Sequence, residues 1–105
     1  MGVTVINKFV VPEEAVEAFL DEFSEHRAFL AAQPGFLSGA LYRKAGGPGR
    51  FNLVNLARWE SAGHLAAARE ALGKLYEARG SDPGALYRRL GVEADIASYS
   101  EIVTY

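Results

Sequence analysis

The 105-residue chain contains no cysteine, which excludes a disulfide framework, a thiol nucleophile and any thiolate metal site. Histidine is scarce. His26 and His64 fall one on each of two expected helices, without His-x-x-x-His spacing, so a metal site would need acids gathered from distant elements. His26 reads as a solvated helix residue. No apolar run approaches the roughly 18 residues of a membrane span, and Met1 to Val11 lacks the basic-then-apolar order of a signal peptide. The expected compartment is therefore the cytoplasm, with no membrane partner. A formal net charge of −2 supplies no basic field for nucleic acid. Gly46-Gly47-Pro48-Gly49 lacks the Lys-Ser/Thr pair and the strand-to-helix context of a phosphate loop, and no glycine-framed nucleophile elbow surrounds a serine.

What is present fits a soluble globular protein: 50% of the residues are hydrophobic and 23% charged. The length predicts one domain over residues 1–105, with a core that a partner subunit would help to complete. Val3 to Val11 alternates as a strand. Pro12 suits the first turn of a helix, with Glu13, Glu14 and Glu17 near its positive end. Val16, Phe19, Leu20, Phe23, Arg27 and Leu30 then recur at helical spacing until Gln33-Pro34-Gly35. Phe36 to Lys44 and Phe51 to Trp59 read as a hairpin around the glycine-rich turn. Ser61 is a plausible N-cap for a second helix carrying Leu65, Ala68, Leu72, Leu75 and Tyr76 and ending at Gly80, weakened by Gly63 and Gly73. A short helix around Leu86 to Leu90 and a last strand from Asp95 to Tyr105 complete the chain.

The order β-α-β-β-α-β predicts an α+β, ferredoxin-like fold, in which helices cover one face of a four-stranded antiparallel sheet. Ile6, Val10, Val54 and Leu56 fall on the other face and leave it apolar, so a homodimer is expected to bury it.

Two residues interrupt the helix-facing side. Asn7 lies among Val3, Val5, Phe9 and Val11, and Asn55 among Phe51, Leu53, Ala57 and Trp59. An unpaired buried amide costs on the order of 1–3 kcal/mol, so each needs a partner, either within the protein or on a ligand. Their occurrence on two strands favours a pocket. Trp59 points the same way as Asn55, about 13 Å along the strand, and is either a core aromatic or part of that pocket. Arg79 falls on or beside the apolar stripe of the second helix. Its guanidinium either meets an anion or snorkels to solvent at the helix end. His64, near the start of that helix, could reach the same pocket.

The opening Val3-Thr4-Val5-Ile6-Asn7-Lys8-Phe9, the Gln33-Pro34-Gly35-Phe36-Leu37 junction and Asn55-Leu56-Ala57-Arg58-Trp59-Glu60-Ser61 together resemble the antibiotic biosynthesis monooxygenase superfamily of dimeric α+β barrels. The combination of Asn7, Asn55 and Trp59 resembles its cofactor-independent oxygenases, which turn anthrones and naphthacenones into quinones. The resemblance implies Asn7, Asn55 and Trp59 as catalytic residues, and places Arg79 where a helix arginine is implicated. It implies an aromatic polyketide and O2 as partners, with no cofactor and no metal. Haem degradation, found in another branch, is disfavoured because Ala68 and Ala78 occupy the places of its tryptophan and its iron-ligating histidine. Leu65 stands where some quinone-forming relatives have a tyrosine, for which Tyr42 or Tyr76 is a candidate replacement. A cofactorless polyketide cyclase or isomerase, with His64 or a tyrosine as proton shuttle, and a non-catalytic small-molecule-binding dimer remain as alternatives.

Overall fold

A computed structural model describes residues 2–105. Strands β1 (Val3–Val10), β2 (Phe36–Arg43), β3 (Leu53–Trp59) and β4 (Glu93–Tyr99) form one antiparallel sheet in the order β2-β3-β1-β4. Helices α1 (Val16–Ala31) and α2 (Ala62–Ala78) lie in the two crossovers, and the short α3 (Pro83–Leu90) precedes β4. This is the ferredoxin-like arrangement expected from the sequence. The molecule is only 17 Å through its shortest axis, the depth of one sheet and one helical layer.

Local chemistry accounts for the boundaries. A 3-10 turn over Glu13–Ala15 follows Pro12, and the α-helix proper starts at Val16. Ser61 caps α2, its hydroxyl accepting from the His64 amide at 3.1 Å. Asp82 does the same for α3 from the Gly84 amide, and Gly91 ends that helix in the left-handed region at φ 70°. Gly35 adopts φ 87°, and a Cβ there would run into the His64 ring, so this junction requires glycine. Asn52 clamps the end of β1: its Nδ2 donates to Val11 O at 2.7 Å, and its Oδ1 accepts from Val11 N at 2.8 Å.

The last strand, expected over Asp95 to Tyr105, begins two residues earlier and ends at Tyr99. Thr4 pairs with Tyr99, which leaves only Val3 of β1 beyond it, and residues 100–105 take no regular structure.

Register sorts the side chains by face. Val5, Asn7 and Phe9 oppose Ala57, Asn55 and Leu53, and all six face the helices. The core they share is divided in two. Phe9, Val11, Val16, Phe19, Phe23 and Leu53 form one buried cluster, with Phe9 and Phe19 fully enclosed. Val5, Trp59, Leu65 and Ala68 form the other. The rung that separates them on the sheet is Asn7 opposite Asn55. On the outer face Ile6, Val10, Val54 and Leu56 are half-buried and Tyr42 is exposed.

Candidate active site

Between the sheet and the two long helices lies a cavity of about 640 Å³, within the usual range for small-molecule sites. Asn7 and Asn55 form its sheet side together with Val5, Ala57, Leu41 and Ile96. Helix α1 contributes Phe23, His26, Arg27 and Leu30, and α2 contributes Leu65, Arg69 and Leu72. Two apolar clusters cannot close over a rung of amides without stranding them, and the open space lies at that rung.

One of the two amides remains incompletely satisfied. Asn7 Oδ1 is buried with no hydrogen-bond partner. Arg27 Nε is in the same condition, while its guanidinium lies 5.6 Å from the Phe23 ring centroid. Trp59 is almost fully enclosed, at 2% exposure, and meets Phe36 edge to face with centroids 5.4 Å apart. Its indole is therefore both a core aromatic and part of the cavity wall.

His26 is half-buried and lines the cavity, in contrast to the solvated position its place in the sequence implies. Its ring stacks on Phe23 with centroids 5.2 Å apart, and Nδ1 lies 3.1 Å from the Tyr76 hydroxyl. Burial lowers its pKa below the ordinary imidazole value, so the neutral form is favoured. Burial raises the phenols of Tyr76 and Tyr87 above their ordinary value. Tyr87 of α3 also lines the cavity, its ring 6.0 Å from that of Phe9.

Asn7, Asn55 and Trp59 thus share one cavity, while the other expected residues do not line it. Tyr42 projects from the opposite face. A β-bulge between Phe36 and Ser38 shifts the parity of β2, so Gly39 and Leu41 turn inward and Tyr42 outward. Arg79 caps the C-terminus of α2, about 10 Å along the helix from Leu72, and pairs with Glu25 at 3.4 Å in an exposed groove. His64 turns toward the Gly35 junction, its Nδ1 2.7 Å from Ser61 Oγ. Tyr76 reaches the central cavity only through its contact with His26. Arg27, Arg69, His26 and Tyr87 are lining residues that strand alternation could not reveal. For Arg27 the signal was its place within the apolar stripe of α1.

The family model for antibiotic biosynthesis monooxygenase matches residues 2–84. The chain belongs to the antibiotic biosynthesis monooxygenase family. A candidate monooxygenase of Shewanella loihica PV-4 is 32% identical, with a TM-score of 0.75 over 98% of this chain and 96% of that one. SnoaB, a cofactor-independent oxygenase from Streptomyces nogalater, is 27% identical, with a TM-score of 0.74 over 98% and 95%. A heme-degrading protein of Mycobacterium tuberculosis shares the fold at 21% identity, with a TM-score of 0.65 over 100% and 99%. No match is found among curated proteins.

Helix α2 presents no imidazole to the central cavity, whereas α1 presents His26. Helix α2 carries one histidine, His64, which is engaged with Ser61 near the Gly35 junction. Ala68 is packed in the core beside Trp59, and Ala78 ends the helix. Neither offers a donor atom to iron. Among the described residues, no cluster of three His, Asp or Glu side chains could hold a metal ion, and no helix is long and apolar enough to cross a membrane.

Proposed function

We propose that this protein is a cofactor-independent monooxygenase that uses O2 to oxidise a polycyclic aromatic polyketide, of the anthrone or naphthacenone type, to a quinone in cytoplasmic antibiotic biosynthesis. The observation that carries this reading is the asparagine rung, Asn7 opposite Asn55, set in an otherwise largely apolar cavity with Trp59 in its wall. The likeness to SnoaB supports the same chemistry.

An anthrone has an acidic CH2 opposite its carbonyl across the central ring, and the enolate formed when it loses a proton is electron-rich enough to reduce O2 directly, so the substrate takes the part that a flavin or metal plays elsewhere. The protein's tasks are to bind the ring system, exclude bulk water and hold the developing negative charge on oxygen. The Asn7 and Asn55 side chains are the groups placed for this, with amide N–H donors toward the enolate oxygen. The buried Asn7 Oδ1 is an acceptor for a substrate hydroxyl. Trp59 meets the ring system with the part of its indole that forms the cavity wall, by ring contact or by a hydrogen bond. One electron passes from enolate to O2, the radical pair combines as a carbon-bound peroxide that takes back the proton the substrate lost, and loss of water from the resulting hydroperoxide leaves the new carbonyl. One oxygen atom of O2 enters the quinone and the other leaves as water.

Preorganised donors of this kind are typically worth about 10²–10³ in rate, so Asn55→Ala should lower kcat on an anthrone by that order while the fold persists. Unchanged turnover would remove Asn55 from the mechanism.

The working unit in this proposal is a homodimer. The half-buried outer face of Ile6, Val10, Val54 and Leu56 is the surface that two copies would share. Light scattering after size-exclusion chromatography should give twice the 11.4 kDa chain mass, and a monomer at micromolar concentration would refute the dimer.

A further inference from the structure

The charge of the cavity differs from that of the molecule. Overall the chain has 13 acidic residues against 11 Lys and Arg, yet no aspartate or glutamate lines the central cavity, while Arg27 and Arg69 both do. Arg43, Arg50, Arg79, Arg88 and Arg89 each have a carboxylate partner. Arg27 and Arg69 have none among the described residues, and neither has Arg58, which is exposed on β3 and does not line the cavity.

Their positions within the cavity also differ. Arg69 is exposed on α2, whereas Arg27 is half-buried on α1, with its Nε fully enclosed and unpartnered. One face of the Arg27 guanidinium is occupied by Phe23. That contact leaves the in-plane Nε–H without an acceptor, because a ring face accepts a cation but does not replace carboxylate-type hydrogen bonds. A guanidinium remains charged throughout the accessible pH range, so one that faces the cavity with its Nε enclosed and without an acceptor is suited to pair with an anion that enters there.

We propose that the cavity takes its aromatic ligand as an anion, and that Arg27 is the binding residue that pairs with the ligand's ionised oxygen. Arg69, exposed in the cavity lining, adds positive potential along the approach. The ligand class is a planar polycycle bearing a carboxylate or an acidic phenol, in contact with Arg27. This deepens the function proposed above and rests on the central cavity being the substrate site, but it does not depend on oxygen chemistry.

Binding of non-reacting probes separates the two claims. Anthraquinone-2-carboxylate and its neutral carboxamide have nearly the same shape, and one charge-assisted hydrogen bond corresponds to about tenfold or more in affinity. The wild-type protein should bind the carboxylate at least about tenfold more tightly than the carboxamide. Arg27→Met, checked for folding by circular dichroism, should reduce that ratio toward one, and Arg27→Lys should retain part of it. In a second arm, 2-hydroxyanthraquinone is titrated by its visible band. If the phenolate is the preferred ion, its ionisation midpoint should fall by about one unit on binding, as expected for a tenfold preference. A preference in either arm that is lost in Arg27→Met supports the assignment and identifies the anion.

Equal affinity for carboxylate and carboxamide, with no displacement of the phenol midpoint, overturns it from the wild-type data alone. So does absence of binding by every anionic probe, or an anion preference that survives intact in folded Arg27→Met. Preserved charge preference without oxygen uptake on an anthrone would instead refute only the oxygenase.

Discussion

Asn7→Leu should make the free protein more stable and the enzyme much slower. The two side chains have the same number of heavy atoms, so the exchange removes polarity at nearly constant shape. In the native chain Asn7 Oδ1 is enclosed without a partner, on a strand residue paired with Asn55 on one side and Ile96 on the other. Stranding a polar atom in this way costs about 1–3 kcal/mol, and leucine would remove that cost and extend the contacts of Val5 and Phe9 along β1. A gain of about 1 kcal/mol corresponds to a Tm increase of roughly 4–8 °C for a domain of this size. Turnover moves the other way: loss of a preorganised donor should lower kcat by about 10²–10³. Thermal denaturation followed by circular dichroism, beside oxygen-electrode kinetics on an anthrone, reads both quantities on one preparation. A variant that melts earlier and turns over normally would show that Asn7 is a structural residue whose amide is satisfied within the protein, and the argument from the orphan oxygen would fail.

Other outcomes follow from the same structure. Gly73 lies inside α2 with nothing near the position of a Cβ, so Gly73→Ala should raise stability by about 0.5–1 kcal/mol in urea titration; a loss would mean that the site is not open. Gly35→Ala combines a positive φ with a collision against His64 and should cost about 1–3 kcal/mol, visible as a lower denaturation midpoint. The half-buried His26 has a native pKa below its ordinary value of 6.5, so the unfolded chain binds more protons than the folded one as pH falls through and below 6.5. Stability should therefore decline on acidification across that window. His26→Gln should flatten this part of the profile, and an identical slope would assign the decline to other groups.

The legible part of this fold follows from period-two alternation and from helix stripes with clear ends. Asn7 and Asn55 could be placed on one sheet face because β1 and β3 run without a bulge, and their antiparallel register then makes them cross-strand neighbours. Tyr42, a candidate only as a replacement for a tyrosine of quinone-forming relatives, lies on the other face, because a bulge in β2 depends on local backbone geometry and leaves no mark in the alternation. Arg79 continued the α2 stripe by spacing, yet the helix ends at Ala78 and Glu25 of α1 provides its anion. That pairing depends on how two helices meet, which neither helix encodes alone. Arg27 lay in the α1 stripe from the start, but its enclosed, unpartnered Nε appears only when α1 is set against the sheet. The final strand was drawn too long because the end of its partner, β1, determines where pairing stops.

The central claim is tested most directly by following oxygen consumption and quinone absorbance when the purified, metal-stripped protein meets an anthrone such as dithranol or emodin anthrone. The account predicts uptake above the uncatalysed background, one O2 per quinone formed, unaffected by chelator and needing no flavin. Ligand binding with no uptake beyond background would contradict it, and would point instead to a cyclase or a binding protein built on the same fold.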